Sequence, residues 1–135
     1  MTYLVDTDVL SLLRRRDRSP VLQSWFAARR STDLFISAVS IGEIERGIAL
    51  VRRRDDRFAH DLAAWLDRLL GHYGDRILPF DLGAARRWGR LSAMLGNDGA
   101  DLQIAATALE NGLTVVSRNV GHFAPAGVPV VDPLA

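Results

Sequence analysis

Four acidic side chains and one amide are spaced so that they could act together. Asp6 and Asp8 follow a short apolar run, and Glu43 lies early in a helical pattern after a second such run. Asp101 opens an alanine-rich stretch, and Asn119 follows a fourth apolar run. Carboxylates gathered at one place repel one another and resist ionisation unless a divalent cation neutralises them. Oxygen donors of this kind suit Mg2+ or Mn2+ rather than zinc.

Each residue also has a simpler explanation. Ser40 to Glu43 matches the S-x-x-E capping box, in which Glu43 only holds the first turn of a helix. Taken alone, that is the better account of Glu43. Asp8 and Asp101 suit N-cap positions, and Asn119 suits a turn with a local side-chain hydrogen bond. Asp6 resists such a reading, because an aspartate ending an apolar strand has no helix of its own to cap and carries a desolvation cost. The joint pattern favours a metal site over a set of independent caps.

The elements that must position these groups follow from periodicity. Residues 2–5, 34–37, 77–80 and 113–117 are short β-prone runs, with a fifth possible at 128–131. Between them, helices are expected to begin at Asp8, at Pro20 and at Ser40, the last carrying Ile41, Ile44, Ile48 and Val51. A long amphipathic segment with Phe58, Leu62, Trp65, Leu69 and Tyr73 on one side ends at Gly71 and Gly74. Further helices are expected over 84–95 and 101–110, the second stopped by Asn111 and Gly112. Strands alternating with helices predict an α/β fold, a three-layer α/β/α sandwich with a parallel sheet of four to five strands. No repeat or linker divides residues 1–135, which read as one domain. Ligands of open parallel sheets sit beyond the carboxyl ends of the strands, the edge where most of the candidate residues fall.

Composition narrows the chemistry. The 135 residues are 48% hydrophobic and 24% charged, the profile of a globular domain rather than a rod or a disordered tail. There is no cysteine, which excludes thiolate catalysis and Cys-ligated metal and fits a reducing compartment. All 17 basic residues are arginine, so no lysine can serve as Schiff base, P-loop lysine or general base. The first residues, broken by Asp6 and Asp8, have neither the apolar run of a signal peptide nor the length of a membrane helix, and a cytoplasmic location is expected.

Four segments in order carry a family resemblance: L-V-D-T-D-V-L at 4–10, S-A-V-S-I-G-E-I-E-R-G-I at 37–48, D-L-Q-I-A-A-T-A at 101–108 and G-L-T-V-V-S-R-N-V at 112–120. Together with I-L-P-F-D at 77–81 and the closing F-A-P-A-G-V-P-V-V-D-P, they resemble PIN-domain ribonucleases of the VapC toxin type over nearly the whole chain. The resemblance implies a Mg2+-dependent endoribonuclease held in check by a cognate antitoxin, with two toxin chains pairing through their helices. Carried over by position, Asp6 and Asp101 are the main metal ligands, Glu43 completes the acidic cluster and Asn119 takes the fourth polar place. In-line phosphodiester hydrolysis needs a deprotonated water and charge stabilisation at the leaving oxygen, both of which bound metal supplies. Two departures stand out. The family often has asparagine or serine where Asp8 stands, and often an aspartate shortly before the phenylalanine where this chain reads R-N-V-G-H-F with His122.

His122 is a phosphate contact or proton donor at most, since a lone loop histidine is more often neither. Asp98, in N-D-G, reads as a turn residue. The arginines cluster at 14–18, 52–57 and 86–90. Arg16 is within reach of a backbone phosphate next to the site, Arg52 to Arg57 suit a solvated helix face, and Arg46 and Arg118 are the better candidates for touching phosphate or orienting a carboxylate. Trp25, Trp65 and Trp88 fit apolar stripes, so core packing is expected of them. Two other functions compete. A haloacid-dehalogenase-like phosphatase would use Asp6 as nucleophile and Asp8 as general acid/base, but wants a lysine or arginine and a late acidic pair. A catalytically silent PIN fold that binds RNA or protein draws on Asn119 standing where a carboxylate is often found.

Overall fold

Alternation along one three-residue strand sets the layers. In strand β1 (Tyr3–Val5), Tyr3 and Val5 enter one apolar core while Leu4 enters the other. A strand buried on both faces must lie mid-sheet, and β1 does. It pairs in parallel with β2 (Leu34–Ser37) on one side and β4 (Thr114–Val116) on the other. Strands β3 (Ile77–Leu78) and β5 (Val130–Val131) complete a five-stranded sheet in the order β3-β2-β1-β4-β5, every pairing parallel. The computed structural model describes residues 1–15 and 19–135. Arg16, and with it the phosphate contact expected there, lies outside the described residues, as does Arg18.

Helices α1 (Thr7–Arg14), α2 (Pro20–Ala27), α3 (Ala38–Arg52) and α4 (Asp56–Tyr73) carry the core on the Val5 face, through Val9, Leu10, Leu22, Ile44, Ile48 and Leu66. On the Leu4 face lie α5 (Leu82–Leu95) and α6 (Ala100–Asn111), with the four-residue α7 (Val120–Phe123) anchored by the fully buried Phe123. This is the expected three-layer sandwich. In α6, Ala105, Ala106 and Ala108 are fully buried, and their small side chains let the helix backbone lie close on its neighbours. Trp25 and Trp65 pack against the first core and Trp88 against the second, as expected of apolar stripes.

Several boundaries differ from the sequence reading. The third helix starts at Ala38 rather than Ser40, because Ser37 accepts a hydrogen bond from the Val39 N–H (3.0 Å) and caps it. Gly71 lies inside α4, and Gly74 alone closes it, at φ +52°. Asp81 caps α5 from Leu82 onward by accepting from the Ala84 N–H, earlier than the expected start at 84. The third strand stops at Leu78, since Pro79 has no N–H to continue a ladder. Helix α7 was not expected. Among the described residues no helix is long and apolar enough to cross a membrane.

Candidate active site

The sheet reverses its direction of growth at β1, and that switch point carries Asp6. The Asp6 N–H bonds the Val116 carbonyl (3.0 Å), fixing the residue against the end of β4. Contrary to the sequence reading, Asp6 does have a helix to cap: it is the N-cap of α1, and its Oδ1 accepts from the Thr7 N–H (2.8 Å). Its Oδ2 accepts from the buried Ser117 hydroxyl (2.8 Å). Only 3% of Asp6 is exposed. Burial is the largest influence on its carboxyl and pushes the pKa up to about 6, with the nearby charges of Asp101 and, less, Asp8 acting in the same direction. The hydrogen bonds from Ser117 and Thr7 pull the other way and are outweighed.

Glu43 reaches the same rim from α3. With the cap at Ser37, the capping-box account of Glu43 fails: the residue sits in the second turn, past the free N–H groups of the helix start. Its Oε1 lies 2.7 Å from Thr7 Oγ1, and the fully buried Ser40 hydroxyl lies 2.7 Å from that same Thr7 oxygen. One hydroxyl carries one proton, so Thr7 donates to the Glu43 carboxylate and receives the proton of Ser40. That chain ties α3 to the start of α1.

Asp101 is in the first turn of α6, whose N-cap is Gly99, so it caps nothing. Asp8 likewise lies inside α1 and is not its cap. The unexpected partner of Asp101 is His122, whose Nδ1 is 2.8 Å from Asp101 Oδ2. His122 belongs to α7 rather than to a free loop, and it lines a cavity of about 590 Å3 together with Glu43, Asp101, Asn97, Gly99 and Pro125. The structure thus brings Glu43 and Asp101 to one cavity and places Asp6 within electrostatic reach of Asp101.

Asn119 is placed differently. It is exposed, its side chain makes no capping bond at the start of α7, and its backbone N–H donates to Ser117 Oγ (2.9 Å). Ser117 is the residue that sequence reasoning missed. Its signal was position alone, a small hydroxyl where the T-V-V run ends, at the same level as Asp6. Arg118 holds Asp8, with Nη2 at 2.7 Å and Nε at 3.2 Å from Oδ2, which matches the expected role of orienting a carboxylate. Arg46 is exposed on α3, Arg52 pairs only loosely with Asp56 (3.7 Å), and Asp98 is exposed beside the Asn97–Gly99 turn.

Among the described residues no three Asp, Glu or His side chains come together as a group that could hold a metal ion. The donor chemistry nonetheless fits a small hard cation, which is commonly held by one or two carboxylates with water filling the remaining positions. A buried carboxylate made harder to ionise by a neighbouring one is the local charge problem that such a cation relieves.

Comparison with known proteins places this chain in a family. A model described as PIN domain matches residues 3–126. VapC ribonuclease Y4jK of Sinorhizobium fredii is 31% identical over 96% of both chains, and Toxin FitB of Neisseria gonorrhoeae is 30% identical over 96% of both. The crystal structure of FitAcB from Neisseria gonorrhoeae has the same fold, with a TM-score of 0.86 and 30% identity over 98% of each chain. The phosphatase alternative gains nothing from these matches, and Asp8, its general acid/base, is engaged by Arg118. The PIN-domain match along residues 3–126, with relatives at 30% identity or more over nearly their whole length and the same fold, identifies the chain as a member of the PIN-domain family, of the VapC toxin type.

Proposed function

We propose that this protein is a metal-dependent endoribonuclease acting in the cytoplasm, using Mg2+ with Mn2+ as a substitute, and restrained by a cognate antitoxin. The observation that carries this reading is the burial of Asp6 beside a second carboxylate, Asp101, at the carboxyl rim of the sheet. Asp6 and Asp101 would hold the cation, and Glu43 completes the negative cluster from across the cavity. When bound, the cation supplies a deprotonated water and stabilises charge at the leaving oxygen, giving a 5′ phosphate and a 3′ hydroxyl. The chain's own residues orient the acids. Ser117 and the Thr7 N–H fix Asp6, the Thr7 hydroxyl fixes Glu43, and Arg118 offsets the charge of Asp8. Asn119 serves this arrangement through its backbone N–H to Ser117.

Two relatives, one named a ribonuclease and one a toxin, support the reading. The antitoxin fits a groove of about 280 Å3 between α1, α3 and α4, lined by Ile44, Ile48, Phe58, Leu62 and Trp65 and reaching Thr7 and Glu43 at the site. Leu82 and Met94, exposed on α5, offer apolar surface to a second copy in a homodimer.

The test is to incubate the purified protein with a panel of structured RNAs, with Mg2+ or Mn2+ and then with chelator. Chelator-sensitive cleavage that disappears in Asp6→Ala and Asp101→Ala supports the proposal. Cleavage persisting in both variants refutes the assigned site, and salt-sensitive RNA binding without cleavage points instead to a silent binding module.

A further inference from the structure

The segment from Ser117 to His122 connects the two central acids by an unbroken path of hydrogen bonds. Ser117 Oγ donates to Asp6 Oδ2 and accepts the Asn119 N–H (2.9 Å). The Asn119 carbonyl accepts the His122 N–H (2.9 Å), and His122 Nδ1 meets Asp101 Oδ2 (2.8 Å). Two features keep the far end in place. Phe123, the next residue, is fully buried in the core against α6, and Gly127 closes the following turn at φ +78°. His122 therefore approaches Asp101 from a backbone that is itself anchored, although the imidazole is largely exposed.

We propose that His122 is a positioning residue for Asp101. A carboxylate oxygen can only accept, so Nδ1 carries the proton and donates it to Oδ2. Asp101 Oδ1, which makes no hydrogen bond among the described residues, is left as the oxygen able to take a cation. Imidazole groups that hold a ligating carboxylate or are held by one set the ligand's orientation, and losing such a partner typically costs 10- to 100-fold in metal affinity. A histidine here restrains Asp101 without adding a further negative charge to a rim that already carries Asp6, Asp8, Glu43 and Asp101. This inference rests on the nuclease reading above, because it assigns His122 a role toward the same cation.

The test measures Mn2+ binding by calorimetry and the kinetics of RNA cleavage in the wild type and in His122→Ala, His122→Asn and His122→Gln. Asparagine places an amide N–H close to the position of Nδ1, whereas glutamine places it near Nε2. We expect His122→Ala to bind Mn2+ about 10-fold or more weakly and to lose kcat more than it raises KM. Asparagine should restore most of both quantities and glutamine should not, while all three variants melt within about 2 °C of the wild type, as expected of an exposed side chain. A wild type that binds Mn2+ and cleaves RNA, matched in both respects by His122→Ala, overturns this role alone. Equal rescue by asparagine and glutamine also overturns it, because the Nδ1 geometry would then be irrelevant. A wild type that neither binds Mn2+ nor cleaves RNA overturns both this proposal and the nuclease reading.

Discussion

Ser117 Oγ donates to Asp6 Oδ2 across 111 residues of sequence, at 2.8 Å and with both side chains buried. The bond joins the ends of the two central strands at the switch point of the sheet. It also opposes the effect of burial on Asp6, since a hydrogen bond to the ionised form favours ionisation. Removing it in Ser117→Ala should raise the Asp6 pKa further above 6 and destabilise the fold by about 1–2 kcal/mol. The check is a paired measurement of thermal unfolding and of cleavage against pH. The acid limb of the cleavage profile should move to higher pH in Ser117→Ala and stay in place in Ser117→Thr, which keeps the hydroxyl.

Asp6 makes stability depend on pH in an unusual direction for a carboxylate. Its folded pKa, about 6, lies above the ordinary value of 3.8, so the folded state binds the proton more tightly than the unfolded chain. The associated stability is fully present below about pH 3.8 and is lost as the pH rises through about 6, in total about 3 kcal/mol. Asp6→Asn cannot ionise and should abolish this component. In metal-free buffer the difference in melting temperature, variant minus wild type, should therefore grow between pH 4.5 and pH 7.5. Adding Mg2+ should stabilise the wild type at pH 7.5 more than at pH 5, and should leave Asp6→Asn nearly unaffected. A difference that is flat with pH, or an equal response to Mg2+ in both proteins, would remove Asp6 from the site.

Asp8 and Arg118 form a pair in which both side chains are about two-fifths exposed. Such pairs contribute about 0–1 kcal/mol to stability, so Arg118→Ala should hardly change the melting temperature. Its effect should fall on the site, because Asp8 adds to the field that raises the Asp6 pKa, and Arg118 offsets that charge. Arg118→Ala should shift the acid limb of the cleavage profile upward by a few tenths of a pH unit, about the size of a screened surface charge effect. Asp8→Asn added to Arg118→Ala should bring it back. A shift that survives the double change would mean that Arg118 acts on RNA directly.

The three-layer sandwich and its parallel sheet were legible in the sequence because periodicity fixes which residues face inward. Val9, Ile44, Ile48 and Tyr73 fall in the core as their spacing requires, whereas Phe58 of the same expected stripe as Tyr73 is exposed. What escaped was side-chain pairing between segments far apart in sequence. Ser117 and His122 each reach an acid from another element, and nothing local distinguishes such a serine from a strand end or such a histidine from a surface residue. Asp6 was misread for the opposite reason: the strand before it was visible, but the helix after it was placed one residue late, at Asp8 rather than Thr7, which hid that Asp6 is both strand end and helix cap. The choice between Ser37 and Ser40 was a local ambiguity, two serines each followed by residues able to start a helix. Tertiary placement decided it, because Ser40 is wholly buried against Thr7.

That displacement of the cap makes Glu43 a clean probe of chemistry apart from folding. Ser37 already caps α3, and Glu43 is exposed and among the described residues hydrogen-bonds only the Thr7 hydroxyl, whose proton a glutamine side-chain oxygen can also accept. Glu43→Gln should therefore hold its stability within about 0.5 kcal/mol, the range of surface substitutions away from caps and cores. The charge, in contrast, is lost from the cavity shared with Asp101. If Glu43 contributes its negative charge to the cation site, cleavage by Glu43→Gln should fall by about tenfold or more, the effect of about 1.4 kcal/mol on the barrier. Ser37→Ala supplies the converse control. It removes the true cap and should cost about 1 kcal/mol of stability, with cleavage per folded molecule little changed. Should Glu43→Gln lose stability while its cleavage per folded molecule stays at the wild-type level, the residue would be structural after all, and the acidic cluster would reduce to Asp6 and Asp101.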